Sequence, residues 1–260
     1  MKWTTSDILS QTGKVVVITG ASAGIGRATT KILASKGADI VLAVRNVTKG
    51  ERVADAIRAQ HPNAKLHVLA LDLSSLNLVS AFSAEFQAKF DRLDVLINNA
   101  GIYDGGDKKT TEGFALQMGV NHLGHFALTG QLLEQLLDTQ NSRVVTVGSG
   151  AYRSGKLDLN TFHSVAAASK GGYGNSKLAN MLFTLELQRK LLDMNTNTIS
   201  VAAGPGATKS DGAKDGIQKI SNRYLRGNPV GQRLRLSAEN EELMRGLWQK
   251  SAELTSVTYR

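Results

Sequence analysis

The sequence predicts an α/β fold, in which a parallel β-sheet lies between two layers of helices. Six short apolar segments rich in β-branched residues recur along the chain, and amphipathic segments of helical period separate them. The strand segments are apolar at nearly every position, which is typical of parallel strands buried on both faces. Right-handed crossovers then produce a doubly wound, three-layer sheet whose ligands bind at the carboxyl ends of the strands.

The elements follow from these patterns in chain order. The strands are expected at 14–20, 38–44, 65–72, 93–101, 142–149 and 197–206. The helices are expected at 24–37, 48–60, 76–90, 114–137, 174–192 and 237–257. In the last helix Leu243, Leu247 and Leu254 have the spacing of inward-facing residues. Because no linker interrupts the alternation, we predict a single domain over residues 1–260.

The segment at 207–236 breaks the alternation, since it is polar and contains no convincing strand. It carries seven Lys or Arg residues against two Asp, and the whole chain has a formal net charge of +9. A basic surface can bind nucleic acid, but no series of aromatic residues for base stacking accompanies these charges. We therefore expect no nucleic-acid partner and interpret the segment as a solvated surface or as support for an anionic cofactor.

Composition and hydropathy exclude other classes of protein. No stretch approaches the ~20 apolar residues that span a bilayer, and the first 14 residues lack the apolar centre of a secretory signal. The absence of cysteine excludes disulfides and thiolate metal sites. We expect a cytoplasmic protein without a transmembrane segment and without a bound metal.

A glycine-rich turn, TGASAGIG at 19–26, follows the first predicted strand and opens the first predicted helix. Glycine lets the backbone turn tightly and approach a pyrophosphate, whose charge is received by amides at the helix N-terminus. Glycine triplets also occur in ordinary strand-to-helix turns. Here the strand before, the helix after and the length to the next strand are the context that dinucleotide binding requires.

The end of the second strand indicates which dinucleotide is bound. An NAD site of this kind places a carboxylate about 20 residues after the glycines, against the ribose 2′-hydroxyl. No acidic residue lies between Val41 and Gly50, and Arg45 stands at the strand end instead. A guanidinium can pair bidentately with a 2′-phosphate. We predict NADP (NADPH) rather than NAD, with an ordinary surface arginine as the alternative.

Tyr173 and Lys177 lie four residues apart near the start of a predicted helix, so their side chains share a face. An isolated pair of this kind commonly arises by chance. In a functional interpretation, the ammonium stabilises a phenolate, which makes a phenol usable as an acid/base near neutral pH.

The ordered set of motifs resembles that of the short-chain dehydrogenases/reductases. The motifs are TGASAGIG (19–26), LDLSS (71–75), NNAG (98–101), NHLGHF (121–126), SRVVTVGS (142–149), YGNSK (173–177) and PG (205–206). The longer stretches GVNHLGHFALT, YGNSKLANMLF and LWQKSAELTSVTY resemble the retinol-dehydrogenase-like branch. This resemblance covers nearly the whole chain. It implies a Rossmann-type fold and an NADP-dependent oxidoreductase that interconverts a carbonyl and an alcohol on a small or apolar substrate.

The resemblance also implies four catalytic residues, namely Asn121, Ser149, Tyr173 and Lys177. Tyr173 would exchange a proton with the substrate oxygen while hydride moves to or from the nicotinamide. Lys177 would stabilise its phenolate and hold the nicotinamide ribose. Ser149 would orient the substrate oxygen, with a helix N-cap as its alternative role. Asn121 would support a water-linked proton path to Lys177, with a buried structural hydrogen bond as its alternative.

The cofactor contacts implied by the resemblance extend along the strand ends. They are Gly20, Ser22, Ala23, Gly24, Ile25, Gly26, Arg45, Asn46, Asp72, Leu73, Asn99, Ala100, Gly101, Tyr173, Lys177, Pro205 and Gly206. Among them, Asp72 and Leu73 would border the adenine, and Pro205-Gly206 would close near the nicotinamide carboxamide. His122 and His125 lie three residues apart with no third ligand nearby, and we interpret them as packing and hydrogen-bonding residues.

The region after Pro205-Gly206 departs from the family pattern. Members of this branch have a longer region there, with a substrate-covering helix pair and a last strand. Here a shortened, basic, substrate-side segment (207–236) precedes the C-terminal helix (237–260), so the lid and the last strand are expected to be reduced or missing. A reduced lid leaves open an alternative function, that of a nucleotide-binding protein with little or no turnover that acts in sensing or assembly.

The resemblance also implies an oligomer. Pairing through the helices at 114–137 and 174–192 would give a homodimer or homotetramer.

Overall fold

The computed structural model of the chain describes residues 4–204 and 238–259. Within them, six parallel strands form one sheet with the order β3-β2-β1-β4-β5-β6. The strands are β1 (Val15–Thr19), β2 (Asp39–Val44), β3 (Lys65–Ala70), β4 (Val95–Asn98), β5 (Arg143–Val147) and β6 (Ile199–Ala203). The chain builds one half of the sheet outward from β1 and then returns to its other side at β4, which confirms the predicted doubly wound α/β fold.

Helices cover both faces of this sheet. They are α1 (Gly24–Ser35), α2 (Val47–Arg58), α3 (Leu76–Lys89), α4 (Leu116–Met118), α5 (Gly124–Gln131), α6 (Leu133–Asp138), α7 (Val165–Ala168), α8 (Gly172–Asp193) and α9 (Ala238–Thr255). Two short 3-10 helices lie at Thr5–Asp7 and Gly150–Ser154, and a π-helical turn lies at Gly119–Leu123.

Strand β1 explains why the strand segments are apolar at every position. Alternate side chains of a strand point to opposite faces. Val15 and Val17 pack in one hydrophobic layer with residues of α3, α5 and α8, whereas Val16 and Ile18 pack in the other with residues of α1 and α2. All five residues of β1 are buried as a result.

The helix predicted at 114–137 is observed from Leu116 to Asp138, but a π-turn at Gly119–Leu123 and a turn residue at Leu132 interrupt it. Leu116–Met118 leads into the π-turn, and α5 and α6 follow as separate helices. The turn sits between two tightly packed glycines: a Cβ on Gly124 would stand 2.6 Å from the carbonyl oxygen of Leu73, and one on Gly119 would collide with Thr110. These contacts come from residues outside the helical segment, so its apolar periodicity does not reveal them.

The predicted C-terminal helix is observed as α9, which packs on α5 and α8. Leu247 is buried as predicted, and Leu243 and Leu254 are half-buried. The Trp248 ring stacks on Phe183 with a centroid distance of 5.8 Å. None of the helices within the described residues is long and apolar enough to cross a membrane. The segment at 207–236 lies outside the described residues, so the reduced lid and missing last strand stay predictions.

Candidate active site

The turn after β1 has the backbone geometry that its glycines predict. Gly20 and Gly24 have φ angles of +67° and +48°, in the left-handed region that favours glycine. Ala23, the N-cap of α1, makes no side-chain hydrogen bond to the helix. Because the first amides of a helix have no partner within it, those of α1 are available to an anion.

A cavity of about 520 Å³ opens at this turn and runs along the carboxyl ends of the strands. We call it the glycine-turn cavity. The predicted cofactor residues that line it are Gly20, Ser22, Ala23, Gly24, Ile25, Arg45, Asn46, Asp72, Leu73, Asn99, Ala100 and Gly101. Lining residues that were not predicted are Thr19, Ala43, Val44, Lys49, Leu71, Ile102, Leu116 and Val120.

Five predicted cofactor contacts are not among the lining residues, namely Gly26, Tyr173, Lys177, Pro205 and Gly206. Gly26 packs beneath the turn, where a Cβ would stand 2.5 Å from the carbonyl oxygen of Gly20 and 2.6 Å from Asn99 Nδ2. Its absent side chain therefore lets α1 approach the strand ends. Pro205 and Gly206 lie outside the described residues.

Two cationic side chains lie at the end of the cavity that β2 and α2 form. Arg45 and Lys49 are exposed, and neither forms an ion pair within residues 4–204 and 238–259. The Asn46 side chain caps α2 by accepting a hydrogen bond from the backbone amide of Lys49 at 2.8 Å. The sequence analysis did not single out Lys49, although its place four residues after Arg45, in the first turn of α2, indicates a second cation near the same end of β2.

Lys177 is buried on α8 with its ammonium directed at the end of β5. Its Nζ donates a hydrogen bond to the carbonyl oxygen of Val147 at 3.0 Å and lies 5.7 Å from the centre of the Tyr173 ring. Gly101 lines the cavity, and a Cβ at this position would stand 3.6 Å from Nζ. Burial lowers the pKa of Lys177 to about 8. Lys177 therefore lies next to the glycine-turn cavity, and the Tyr173 ring lies next to Lys177.

Asn121 lies in the π-turn, and both polar atoms of its buried side chain form hydrogen bonds. Its Oδ1 accepts from the Ile102 amide at 2.8 Å, and its Nδ2 donates to the Ile102 carbonyl at 3.0 Å. Nδ2 also donates to Ser176 Oγ at 3.0 Å, and that hydroxyl donates to the Tyr173 carbonyl at 2.9 Å. The buried structural hydrogen bond considered for Asn121 is thus observed, and it connects the loop after β4 to α8.

Ser149 is the N-cap of the 3-10 helix Gly150–Ser154. Its Oγ accepts from the Ala151 amide at 3.3 Å, which is the capping role considered for it. A cap occupies a lone pair, so the hydroxyl hydrogen remains able to donate. Gly155 and Gly174 bring this 3-10 helix close to the start of α8, since a Cβ on Gly155 would stand 2.5 Å from the carbonyl oxygen of Gly174.

An exposed aromatic ring accompanies Tyr173. The rings of Tyr103 and Tyr173 pack with centroids 4.9 Å apart and planes inclined at 53°. Tyr103 is 78% exposed, and its backbone carbonyl accepts a hydrogen bond from Gln117 Nε2. Nothing in the sequence around Tyr103 predicts this contact, because it joins residues that are far apart in the chain.

The two histidines of the NHLGHF motif are buried hydrogen-bonding residues, as predicted. His122 Nε2 bonds to Ser251 Oγ on α9 at 2.9 Å, and His125 contacts Thr19 and the carbonyl of Asn121. Among the residues that the structure describes, no group of three or more His, Asp or Glu side chains could hold a metal ion.

Comparison with known proteins places the chain in a family. A sequence model of the short-chain dehydrogenases matches residues 14–219. The chain belongs to the short-chain dehydrogenase/reductase family. Human retinol dehydrogenase 12 is 45% identical over 200 residues, which are 76% of this chain and 63% of that protein. Mouse polyprenol dehydrogenase is 34% identical over 95% of this chain and 85% of its own length.

These relatives place this short-chain dehydrogenase/reductase in the retinol-dehydrogenase-like branch. The match spans less than two thirds of the length of human retinol dehydrogenase 12. Among solved structures, a protein from Mycobacterium paratuberculosis is 35% identical with a TM-score of 0.83, and the match covers 100% of both chains. A metagenomic short-chain oxidoreductase in complex with NADP is 26% identical with a TM-score of 0.62, over 77% of this chain and 84% of that one.

The buried lysine of this short-chain dehydrogenase/reductase predicts a pH-dependent stability. The pKa of Lys177 is about 8 in the folded protein and 10.5 in a solvated lysine. Between these values the unfolded chain binds more protons, so stability rises with pH. In cofactor-free protein we expect the unfolding free energy to rise by about 2 kcal/mol more in wild type than in Lys177→Met between about pH 8 and 10. Urea unfolding at several pH values measures this, and parallel pH curves for the two proteins would contradict it.

Proposed function

We propose that the chain is an NADP-dependent oxidoreductase that interconverts a carbonyl and an alcohol on a small or apolar substrate, with Tyr173 as the acid/base. One observation carries this proposal. The buried Lys177 ammonium lies 5.7 Å from the Tyr173 ring centre and next to Gly101, which lines the glycine-turn cavity. A phenol, an ammonium and a nucleotide-sized cavity in this arrangement suit proton transfer coupled to hydride transfer.

The cavity fits a dinucleotide at both ends. The uncapped amides of α1 offer a site for the pyrophosphate, and Gly20 and Gly24 keep side-chain atoms away from it. Arg45 and Lys49 supply two positive charges for a 2′-phosphate, and a guanidinium pairs with phosphate through two hydrogen bonds. The related structure that holds NADP also supports this choice over NAD.

The chain's own residues would handle the proton and position the reactants. The nicotinamide, when bound, supplies the hydride or receives it. Tyr173 would give its phenolic proton to the carbonyl oxygen or accept one from the alcohol, and the Lys177 ammonium would stabilise its phenolate. Ser149 would donate its free hydroxyl hydrogen to the substrate oxygen. Because Asn121 is committed to Ile102 and Ser176, we assign its side chain to holding the surroundings of Lys177 in place.

The substrate side of Tyr173 favours an apolar molecule. Tyr103 is 78% exposed although its ring packs against Tyr173, so it offers an aromatic surface beside the proposed acid/base. Similarity to a retinol dehydrogenase and a polyprenol dehydrogenase supports the same class, an apolar alcohol or its aldehyde. Cytoplasmic location and a homodimeric or homotetrameric state remain predictions.

Turnover of NADPH with a panel of aliphatic aldehydes, aromatic aldehydes, ketones and retinoids tests the proposed function. We expect alcohol to form with the apolar aldehydes and NADPH to be consumed in equal amount. NADPH binding without turnover on any member would favour the alternative function in sensing or assembly. Absence of both binding and turnover would contradict both functions.

A further inference from the structure

A chain of buried hydrogen bonds connects the floor of the glycine-turn cavity to the π-turn. The backbone amides of Asn99 and Ala100 both donate to Thr19 Oγ1 at 2.9 Å. Thr19 Oγ1 lies 2.8 Å from His125 Nε2, and His125 Nδ1 lies 3.1 Å from the carbonyl oxygen of Asn121. Both imidazole nitrogens are therefore occupied, and His125 is the link between two segments that are distant in the sequence.

The hydrogen-bond partners of His125 determine which imidazole nitrogen carries the hydrogen. A carbonyl oxygen only accepts, so Nδ1 must carry hydrogen and donate to Asn121. The Thr19 hydroxyl accepts from two amides, so its own hydrogen is free to donate to an unprotonated Nε2; its other candidate acceptor, the Ile97 carbonyl, is farther away at 3.4 Å. Burial lowers the pKa of His125 to about 4, which agrees with a neutral ring protonated on Nδ1.

The two ends of this series of hydrogen bonds contact different parts of the proposed site. Asn99 and Ala100 line the glycine-turn cavity, whereas Asn121 holds Ile102 and, through Ser176, the start of α8. A π-turn interrupts the regular hydrogen bonding of a helix, so a donor for the Asn121 carbonyl helps to fix the turn. We propose that His125 is a positioning residue that fixes the cofactor-binding loop after β4 and the Asn121 turn relative to each other. This inference rests on the proposed function.

Two substitutions separate the two contacts of the imidazole. An Asn side chain places its amide near the Nδ1 position, so His125→Asn keeps a donor for Asn121 and loses Thr19. A Gln side chain reaches the Nε2 position, so His125→Gln keeps an acceptor for Thr19 and loses Asn121. His125→Gln leaves the Asn121 carbonyl without its donor, and both an unsatisfied buried group and a small misplacement weaken function. We therefore expect this variant to lower kcat about tenfold and to keep the NADPH Kd within about threefold of wild type. His125→Asn should raise the NADPH Kd about tenfold and leave kcat at saturation within about threefold.

A stability control distinguishes positioning from folding. His122→Gln removes a buried histidine of the same motif that bonds to Ser251 on α9, away from the cavity lining. It should lower the unfolding free energy without moving the NADPH Kd of the folded fraction. If the His125 variants do not fold, Thr19→Val breaks the same series of hydrogen bonds at the hydroxyl that contacts His125, and Thr19→Ser keeps this hydroxyl. Thr19→Val should then raise the NADPH Kd about tenfold and Thr19→Ser should not.

The outcomes separate this inference from the proposed function. NADPH titration by fluorescence gives the Kd of every variant whether or not a substrate is turned over. Absence of wild-type turnover would count against the proposed function, and the Kd comparison would still decide the role of His125. A Kd and a kcat that change in parallel in both His125 variants, or that stay within twofold of wild type, would overturn the positioning role.

Discussion

Replacing Tyr173 by Phe is expected to lower turnover by ~10²–10⁴, the usual contribution of general acid–base transfer. The substitution removes the phenolic hydroxyl and keeps the ring, so the contact with Tyr103 should persist. We therefore expect the folded structure and the NADPH Kd to stay close to those of wild type. Steady-state kinetics on an accepted aldehyde, together with an NADPH titration, measure both effects. Tyr103→Phe is the matched control, because it removes an equivalent hydroxyl from the neighbouring ring and should retain turnover.

Lys177→Met should lower turnover at least as much as Tyr173→Phe, because it removes the charge next to the phenol and the bond to Val147. Unlike Tyr173→Phe, it should also weaken NADPH binding, since the proposed ribose contact is lost. The two losses should not add in the double variant, as expected for residues that act as one unit. Independent, additive losses would contradict the proposed coupling between the ammonium and the phenolate.

Replacing Arg45 by Ala is expected to raise the NADPH Kd by roughly 10- to 100-fold, because a hydrogen bond to a charged group contributes ~1.5–3 kcal/mol. The NADH Kd should change little, since NADH has no 2′-phosphate. Lys49→Ala should show the same selectivity with a smaller effect, because an ammonium makes a single contact where a guanidinium makes two. Fluorescence titrations with both cofactors measure these constants.

Arg52→Ala provides the control for overall charge. Arg52 is an exposed cation on the same helix as Lys49 and does not line the glycine-turn cavity. Its replacement should leave the preference for NADPH unchanged. Equal wild-type affinity for NADPH and NADH would contradict the assignment of the cofactor.

The alternation of strands and helices was predictable because it depends on local patterns. Val15 to Thr19 lie between two helical layers, and the burial of every residue in β1 produces the continuous apolar run from which the strand was recognised. The π-turn was not predictable in this way. Its geometry depends on Leu73, Thr110 and Ile102, which contact it from other segments, while its own apolar pattern continues that of the flanking helices.

The residues of the candidate site also differ in whether the local sequence predicts their roles. Gly20, Gly24 and Arg45 could be assigned from their places next to a predicted strand, because their proposed roles follow from the local backbone and the local charge. Tyr103 and His125 could not be assigned in detail. Their contacts with Tyr173 and Thr19 join segments 70 and 106 residues apart, and only the folded chain brings these partners together.

Isotope transfer tests the proposed chemistry most directly. NADPH carrying deuterium at both positions of nicotinamide C4 is incubated with the enzyme and an accepted apolar aldehyde, and the alcohol is analysed by mass spectrometry. If hydride passes between the nicotinamide and the carbonyl carbon, each alcohol molecule should carry a single deuterium on its carbinol carbon, and Tyr173→Phe should form the same product more slowly. Alcohol without deuterium, or no alcohol from any carbonyl compound of the panel, would contradict the proposed function.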